Sequence, residues 1–190
     1  MDKPADDLEL VRAFQSGDDT AFDELVRRYR NAVAAFIVTT LGNRAEVEDL
    51  SQEVFVRVHQ ALPRFRPDGS FPSWLYRITI NLCRDEIRKK RLRRFLSLDA
   101  MEETDHLMRD YSARTDAAAI ESEQREVILA ALRKIDGKYR TALVLREYED
   151  LSYSEIARIL GITQGAVKSR IFRARDQLRE LLKGYFKERT

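Results

Sequence analysis

A chain of 190 residues with 44% hydrophobic content can build one large domain or two small ones, and its 35% charged residues leave a formal net charge of only +2, so the information lies in where the charges sit. Its single cysteine, Cys83, excludes an internal disulfide and a multi-cysteine zinc site and suits a reducing compartment. No apolar run approaches a membrane span, the start MDKPADDLEL lacks the basic and apolar regions of a signal peptide, and His59 and His106 have no metal-ligand spacing. These features predict a soluble cytoplasmic protein with no membrane insertion, metal or cofactor.

The first segment carries four helix candidates and no strand. Leu8 to Gln15 is short and amphipathic and is ended by Ser16 and Gly17. Asp18 or Asp19 then caps a long helix in which Phe22, Leu25, Val26, Tyr29, Val33, Phe36 and Ile37 recur at helical steps, which marks them as core. A third helix, from Asn43, places Val47, Leu50, Val54, Phe55, Val58 and Leu62 on one face and stops at Pro63. Its other face carries Glu46, Asp49, Gln52 and Glu53. Glu46 at the helix start reads as a complement to the dipole, but Asp49, Gln52 and Glu53 lie too far along for that.

The stretch RFRPDGSF before Pro72 is a loop by its Pro, Asp and Gly content. A fourth helix, Ser73 to Arg94, turns Leu75, Ile78 and Leu82 inward and carries Arg77, Asn81, Arg84 and Arg88 as a separate polar stripe. From Arg84 to Arg94 there are seven basic residues against two acidic ones. A solvated helix end would look like this. A surface for single-stranded nucleic acid would too, with Phe71, Trp74 and Tyr76 as rings on which bases stack, although Trp74 also suits a core. From Ser97 to Glu123 eight acidic residues stand against two basic ones with no sustained period, which reads as a linker, partly helical around Ala117 to Ile120.

In the last segment Val127, Ile128, Ala131, Leu132 and Ile135 form one helix ended at Asp136-Gly137, and Tyr139, Leu143, Val144 and Tyr148 mark the next. The stretch from Leu151 to Arg175 then reads as a helix-turn-helix. Ser152 and Glu155 form a capping box, Ile156, Ala157 and Leu160 give a short stripe, Gly161 supplies the turn, and Thr163 caps a second helix. With Val167, Ile171, Ala174 and Leu178 inward, Gly165, Ser169, Phe172, Arg173 and Asp176 point outward, with Lys168 and Arg170 beside them. That face suits a major groove, with Gly165 letting the backbone approach DNA. Arg175 and Arg179 read as solvated charges.

Three of these stretches, in order and spacing, make the chain resemble a bacterial sigma factor of the extracytoplasmic-function group, the short kind with only the two core promoter-binding domains. EVEDLSQEVFVRVHQAL is similar to the segment that docks on the clamp helices of RNA polymerase's largest subunit. Phe71 to Arg94 resembles the segment that melts and reads the minus-ten element, and LSYSEIARILGITQGAVKSRIFRAR the helix-turn-helix that reads the minus-thirty-five element. The fold expected is all-α, with two small helical domains at residues 1–94 and 123–190 joined by a flexible acidic linker at 95–122.

The resemblance implies that Asp49, Gln52 and Glu53 bind the polymerase. It implies that the loop Asp68, Gly69, Ser70 and Phe71 captures a flipped-out base of the non-template strand, with Arg77, Asn81, Arg84 and Arg88 along the adjoining helix. It implies that Lys168, Ser169, Phe172 and Arg173 face the upstream duplex. Lys168 stands where many relatives carry Arg, which exchanges a bidentate fork for a point charge. The implied partners are core RNA polymerase, promoter DNA both duplex and single-stranded, and an anti-sigma factor, with no enzymatic activity. The alternative is a free-standing helix-turn-helix regulator, which leaves the stripe at Arg77, Asn81, Arg84 and Arg88 and the acidic linker without a purpose.

Overall fold

The computed structural model describes residues 6–41, 46–66, 69–96 and 126–187, and every regular element among them is helical. The chain divides into two compact units, one built on the helices up to Leu96 and one on those from residue 126 onward. Most of the linker expected at 95–122, Asn43 and Asp68 lie outside the described residues.

In the first unit, α1 spans Asp7–Gln15, α2 Asp19–Leu41, α3 Val47–Ala61 and α4 Phe71–Leu96. Each start has a local cause. The Asp6 backbone N–H donates to Glu9 Oε2 at 2.8 Å at the head of α1, and Thr20 N–H donates to Asp18 Oδ1 at 3.0 Å at the head of α2. Pro63 ends α3, and the chain continues as one tight turn over Leu62–Arg64. The predicted faces then meet. Leu25, Val33 and Ile37 of α2, Val54 and Val58 of α3, Leu62, and Leu75 and Leu82 of α4 form one buried cluster with Leu10, Val11 and Phe14 of α1.

Helix α4 departs from expectation in two ways. It begins at Phe71 rather than Ser73 and runs to Leu96, past the Arg94 boundary. Ser70 acts as its cap, its carbonyl accepting from Trp74 N–H at 3.2 Å and its Oγ from Ser73 N–H at 3.4 Å. Pro72 falls in the first turn, where a missing N–H leaves nothing unsatisfied. The helix is also buried over more than one narrow stripe, since Tyr76, Thr79, Ile80 and Cys83 join Leu75 and Leu82 in the interior. Tyr76 packs on Phe36 with ring centroids 5.4 Å apart, and so cannot stack a base.

Phe71 sits beneath a ring cluster, 5.4 Å from Tyr29, 6.3 Å from Phe65 and 5.9 Å from Trp74 between centroids. Gln15 fastens the approach to this cluster: its Nε2 donates to the carbonyls of Leu62 and Phe65, both at 3.0 Å. Asp7 ties α1 to the same place, accepting from Tyr29 Oη and pairing with Arg28 at 3.1 Å.

In the second unit, α5 is described over 126–134, α6 spans Gly137–Glu147, α7 Tyr153–Leu160 and α8 Gln164–Lys187. Asp136 caps α6 by accepting from Lys138 N–H at 3.0 Å. Nη1 of the half-buried Arg140 donates to Arg133 O at 2.9 Å and Leu132 O at 3.4 Å, closing the carbonyl end of α5. Ala131, Leu132, Ile135, Leu143, Leu145, Val167, Ile171 and Ala174 are among the residues buried in this part of the chain.

Cys83 is 1% exposed, and burial pushes its thiol up to about 12. It is a core residue and not a reactive one. The folded protein should resist a thiol reagent at pH 8 and react once unfolded in guanidinium. Because the folded value lies above the ordinary 9.0, the stability contributed by the neutral thiol is whole below 9.0 and is lost as pH rises from there through the folded value. Unfolding of Cys83→Ala, followed against pH, should show a shallower alkaline decline than the wild type.

Candidate polymerase and nucleic-acid interfaces

The acidic face of α3 is available to a partner. Asp49 and Gln52 are exposed, and Glu53 is half-buried with Arg57 Nε 2.7 Å from its Oε1. Val56, one turn beyond Gln52, leaves an apolar side chain 49% exposed on the same helix. Glu46 has a more specific task than complementing a dipole: Lys90 of α4 pairs with it at 2.6 Å and so ties α3 to the basic helix. Among the described residues no group of three or more metal-ligating side chains converges.

On α4 the stripe predicted from spacing is intact. Arg77, Asn81, Arg84 and Arg88 are all exposed, while Tyr76, Thr79, Ile80, Leu82 and Cys83 between them are buried. Arg88 lies 3.6 Å from Asp85 with its side chain 81% exposed, a geometry worth little in water. Of the loop residues expected to hold a base, Gly69 and Ser70 are half-buried. Phe71 does not belong with them. Only 1% of it is exposed, and its ring is enclosed by the aromatic cluster, so it supports the loop from below and meets no base. Trp74 is half-buried against Phe65, 4.9 Å away and nearly edge-on.

The helix-turn-helix forms as its caps predict. Ser152 N–H donates to Glu155 Oε2 at 2.9 Å, and Glu155 N–H returns to Ser152 Oγ at 3.3 Å. Gly161 takes a φ of 67°, the left-handed conformation that a residue without Cβ adopts cheaply at a helix end. Thr163 Oγ1 then accepts from Ala166 N–H at 3.2 Å and opens α8. Val167, Ile171 and Ala174 are buried, so Gly165, Lys168, Ser169, Phe172 and Arg173 are exposed and Arg170 is half-buried. Phe172 is 72% exposed, an apolar ring in water amid basic residues.

Two tyrosines that periodicity did not single out for this face attend it. Arg173 Nη1 donates to Tyr139 Oη at 2.9 Å, and Lys168 Nζ stands 5.7 Å from the Tyr153 ring centroid. The Arg173 hydrogen bond holds the Tyr139 phenol below its ordinary value. Arg175, by contrast, pairs with Glu147. These contacts join α8 to α6 and α7, and no spacing within one helix encodes them.

Residues 25–93 match the family model for Sigma-70 region 2, and residues 125–178 match that for Sigma-70, region 4. The chain is 35% identical over 188 residues to the RNA polymerase sigma-H factor of Pseudomonas aeruginosa, covering 96% of both chains. The chain belongs to the sigma-70 family, in its extracytoplasmic-function group. It is similar to the ECF RNA polymerase sigma-E factor of Escherichia coli K12, at 34% identity over 183 residues, 94% of this chain and 95% of that one. Among solved structures, CnrH in complex with the cytosolic domain of CnrY aligns with a TM-score of 0.67 at 31% identity, covering 94% of this chain and 97% of that chain. The sigma factor RpoE in complex with the anti-sigma factor NepR, from Bartonella quintana, aligns with a TM-score of 0.71 at 25% identity, covering 85% and 96%.

The protein is therefore a sigma factor, a non-enzymatic initiation factor that binds core RNA polymerase and directs it to promoter DNA. The free-standing regulator is not favoured. Among the described residues no helix is long and apolar enough to cross a membrane.

Because capping sets the start of α8, Thr163→Ala should lower the unfolding free energy of the second unit by about 1 kcal/mol, and Ser152→Ala by a similar amount. Denaturant unfolding followed by circular dichroism checks both.

Proposed function

We propose that the two units divide promoter recognition as the family resemblance implies. The exposed Asp49 and Gln52, with Glu53 beside them, dock α3 on the clamp helices of the largest polymerase subunit. Gly69 and Ser70 border the place where an unpaired base of the minus-ten element is held, and Arg77, Asn81, Arg84 and Arg88 follow that strand along α4. The exposed face of α8, from Gly165 through Lys168, Ser169, Arg170, Phe172 and Arg173, reads the minus-thirty-five duplex.

The observation that carries this reading is the row on α4. Four polar side chains, three of them cationic, stand in water on a helix whose stretch from Phe71 to Cys83 fills a core with its other sides. Unstacking one base costs a few kcal/mol, roughly, and a pocket with backbone charge alongside offsets it. A net charge of +2 fits a factor that relies on polymerase for much of its DNA affinity, so the free protein should bind promoter DNA poorly. We also propose a cytoplasmic location, where core polymerase works. An anti-sigma partner completes the reading, supported by the similar structure of RpoE, which is a complex with the anti-sigma factor NepR.

Run-off transcription with core polymerase tests the assignments one by one. Asp49→Ala should weaken holoenzyme assembly. Asn81→Ala should assemble normally yet slow open-complex formation, read by permanganate reactivity of unpaired thymines; loss of assembly instead would move α4 to the polymerase interface. Arg173→Ala should cost about 1 to 3 kcal/mol and relax preference at one upstream base, whereas Arg175→Ala, already held by Glu147, should weaken binding evenly or not at all.

A further inference from the structure

We propose that Tyr139 is a positioning residue for promoter readout, holding the Arg173 guanidinium in its reading geometry before DNA arrives. The inference rests on the reading of Arg173 as a base-contacting residue. Arg173 Nη1 donates to Tyr139 Oη at 2.9 Å, and the guanidinium carbon lies 5.8 Å from the ring centroid, within reach of a cation–π attraction. One of the five N–H donors of the guanidinium is thereby used. Four remain, enough for a bidentate contact to guanine, and the phenol keeps its own proton to give to a phosphate.

The support beneath Tyr139 is firm. It lies in the first turn of α6, which Asp136 caps, and the following residues Ala142, Leu143, Val144 and Leu145 are all buried. Its neighbour Arg140 is bonded to the carbonyls that end α5. A tyrosine has two side-chain torsions to fix, whereas an arginine left in solvent must lose far more freedom when it meets a base.

The charge of the partner matters as much as its position. Arg175, two residues further along α8, is held by the carboxylate of Glu147, which neutralises it. Tyr139 fixes Arg173 with a neutral group and leaves its full positive charge for DNA. Lys168 follows the same pattern more loosely, its ammonium 5.7 Å from the Tyr153 ring centroid. A neutral ring thus attends each of these two cations of the reading face, while the cation facing away from that task is paired with an acid.

The test uses holoenzyme reconstituted with the full-length chain and a duplex DNA library with randomised promoter elements, from which the preference at every upstream position is measured. Arg173→Ala should flatten one position. Tyr139→Phe, which keeps the ring and loses the hydroxyl, should reduce the preference at that same position by roughly two- to tenfold, the share set by immobilising one flexible side chain, and leave the other positions unchanged. Adding Tyr139→Phe to Arg173→Ala should change nothing more, and the unfolding midpoint of Tyr139→Phe should match the wild type.

If Arg173→Ala flattens one position but Tyr139→Phe does not, the positioning role is overturned while the base-reading role stands. Equal loss at all positions would reduce Tyr139 to a structural residue, and a sharper preference would mean that the phenol competes with DNA; either result also overturns the proposal. If Arg173→Ala flattens no position, the base-reading role fails and the positioning role falls with it.

Discussion

Phe71 is held between 5.4 and 6.3 Å from the rings of Tyr29, Phe65 and Trp74, and this packing fixes where α4 begins. Burying a phenyl contributes about 2 to 3 kcal/mol, and aromatic pairs add about 0.5 to 1.5 kcal/mol more. The register of α4 follows from that anchor. Leu75 and Leu82 then enter the core, and Arg77, Asn81, Arg84 and Arg88 must face water. A shift of one residue would turn each side chain about 100° around the axis and bring part of the basic stripe into the interior. The buried ring thus decides which residues of α4 face water. Gln15 acts on the same point from α1, since its two 3.0 Å bonds hold the carbonyls of Leu62 and Phe65 just before the loop.

Much of this organisation is legible in the chain because it is local. The recurrence of Leu25, Val33 and Ile37, the caps at Asp18, Ser152 and Thr163, and the inward set Val167, Ile171 and Ala174 each depend on residues within a turn or two. The wheel of α8 therefore assigns its exposed face correctly from sequence alone. What escapes is long-range or ambiguous in composition. Phe71, Trp74 and Tyr76 beside a basic helix have the same composition whether they stack bases or fill a core, and only packing separates the buried Phe71 and Tyr76 from the half-buried Trp74. Gln15 reaches partners 47 and 50 positions away, and Arg173 reaches Tyr139 across 34. No period of 3.6 can report such contacts. The start of α4 was obscured by Pro72, which reads as punctuation but is at home in a first helical turn.

The charges of α8 are sorted along its length. Toward its C-terminal end Arg179 pairs with Asp176 at 3.1 Å and Lys183 with Glu180, one helical turn apart in each case. Such exposed pairs contribute about 0 to 1 kcal/mol each to stability, so folding does not require them. Their larger effect is on the field around the helix, because a paired cation attracts phosphate weakly. Within the first three turns of α8 the cations Lys168 and Arg173 meet neutral rings and keep their charge.

A sigma factor gains from this arrangement because non-specific affinity is a cost to it. Each unpaired cation that finds a phosphate strengthens binding to every sequence alike, and a chain carrying 34 basic residues would cling to DNA at large if most were free. With 32 acidic residues to balance them, indiscriminate attraction is small. Selectivity must then come from a few donors held in place, and placement is what the capped helix starts, the buried rings of the first unit and the tyrosines beside α8 provide. The discrimination available to one bidentate arginine, about 1 to 3 kcal/mol, is realised only when the guanidinium reaches the base without first losing its rotamer freedom to the search. On the proposed reading, the local order of the side chains, more than the sum of their charge, separates a promoter from other DNA.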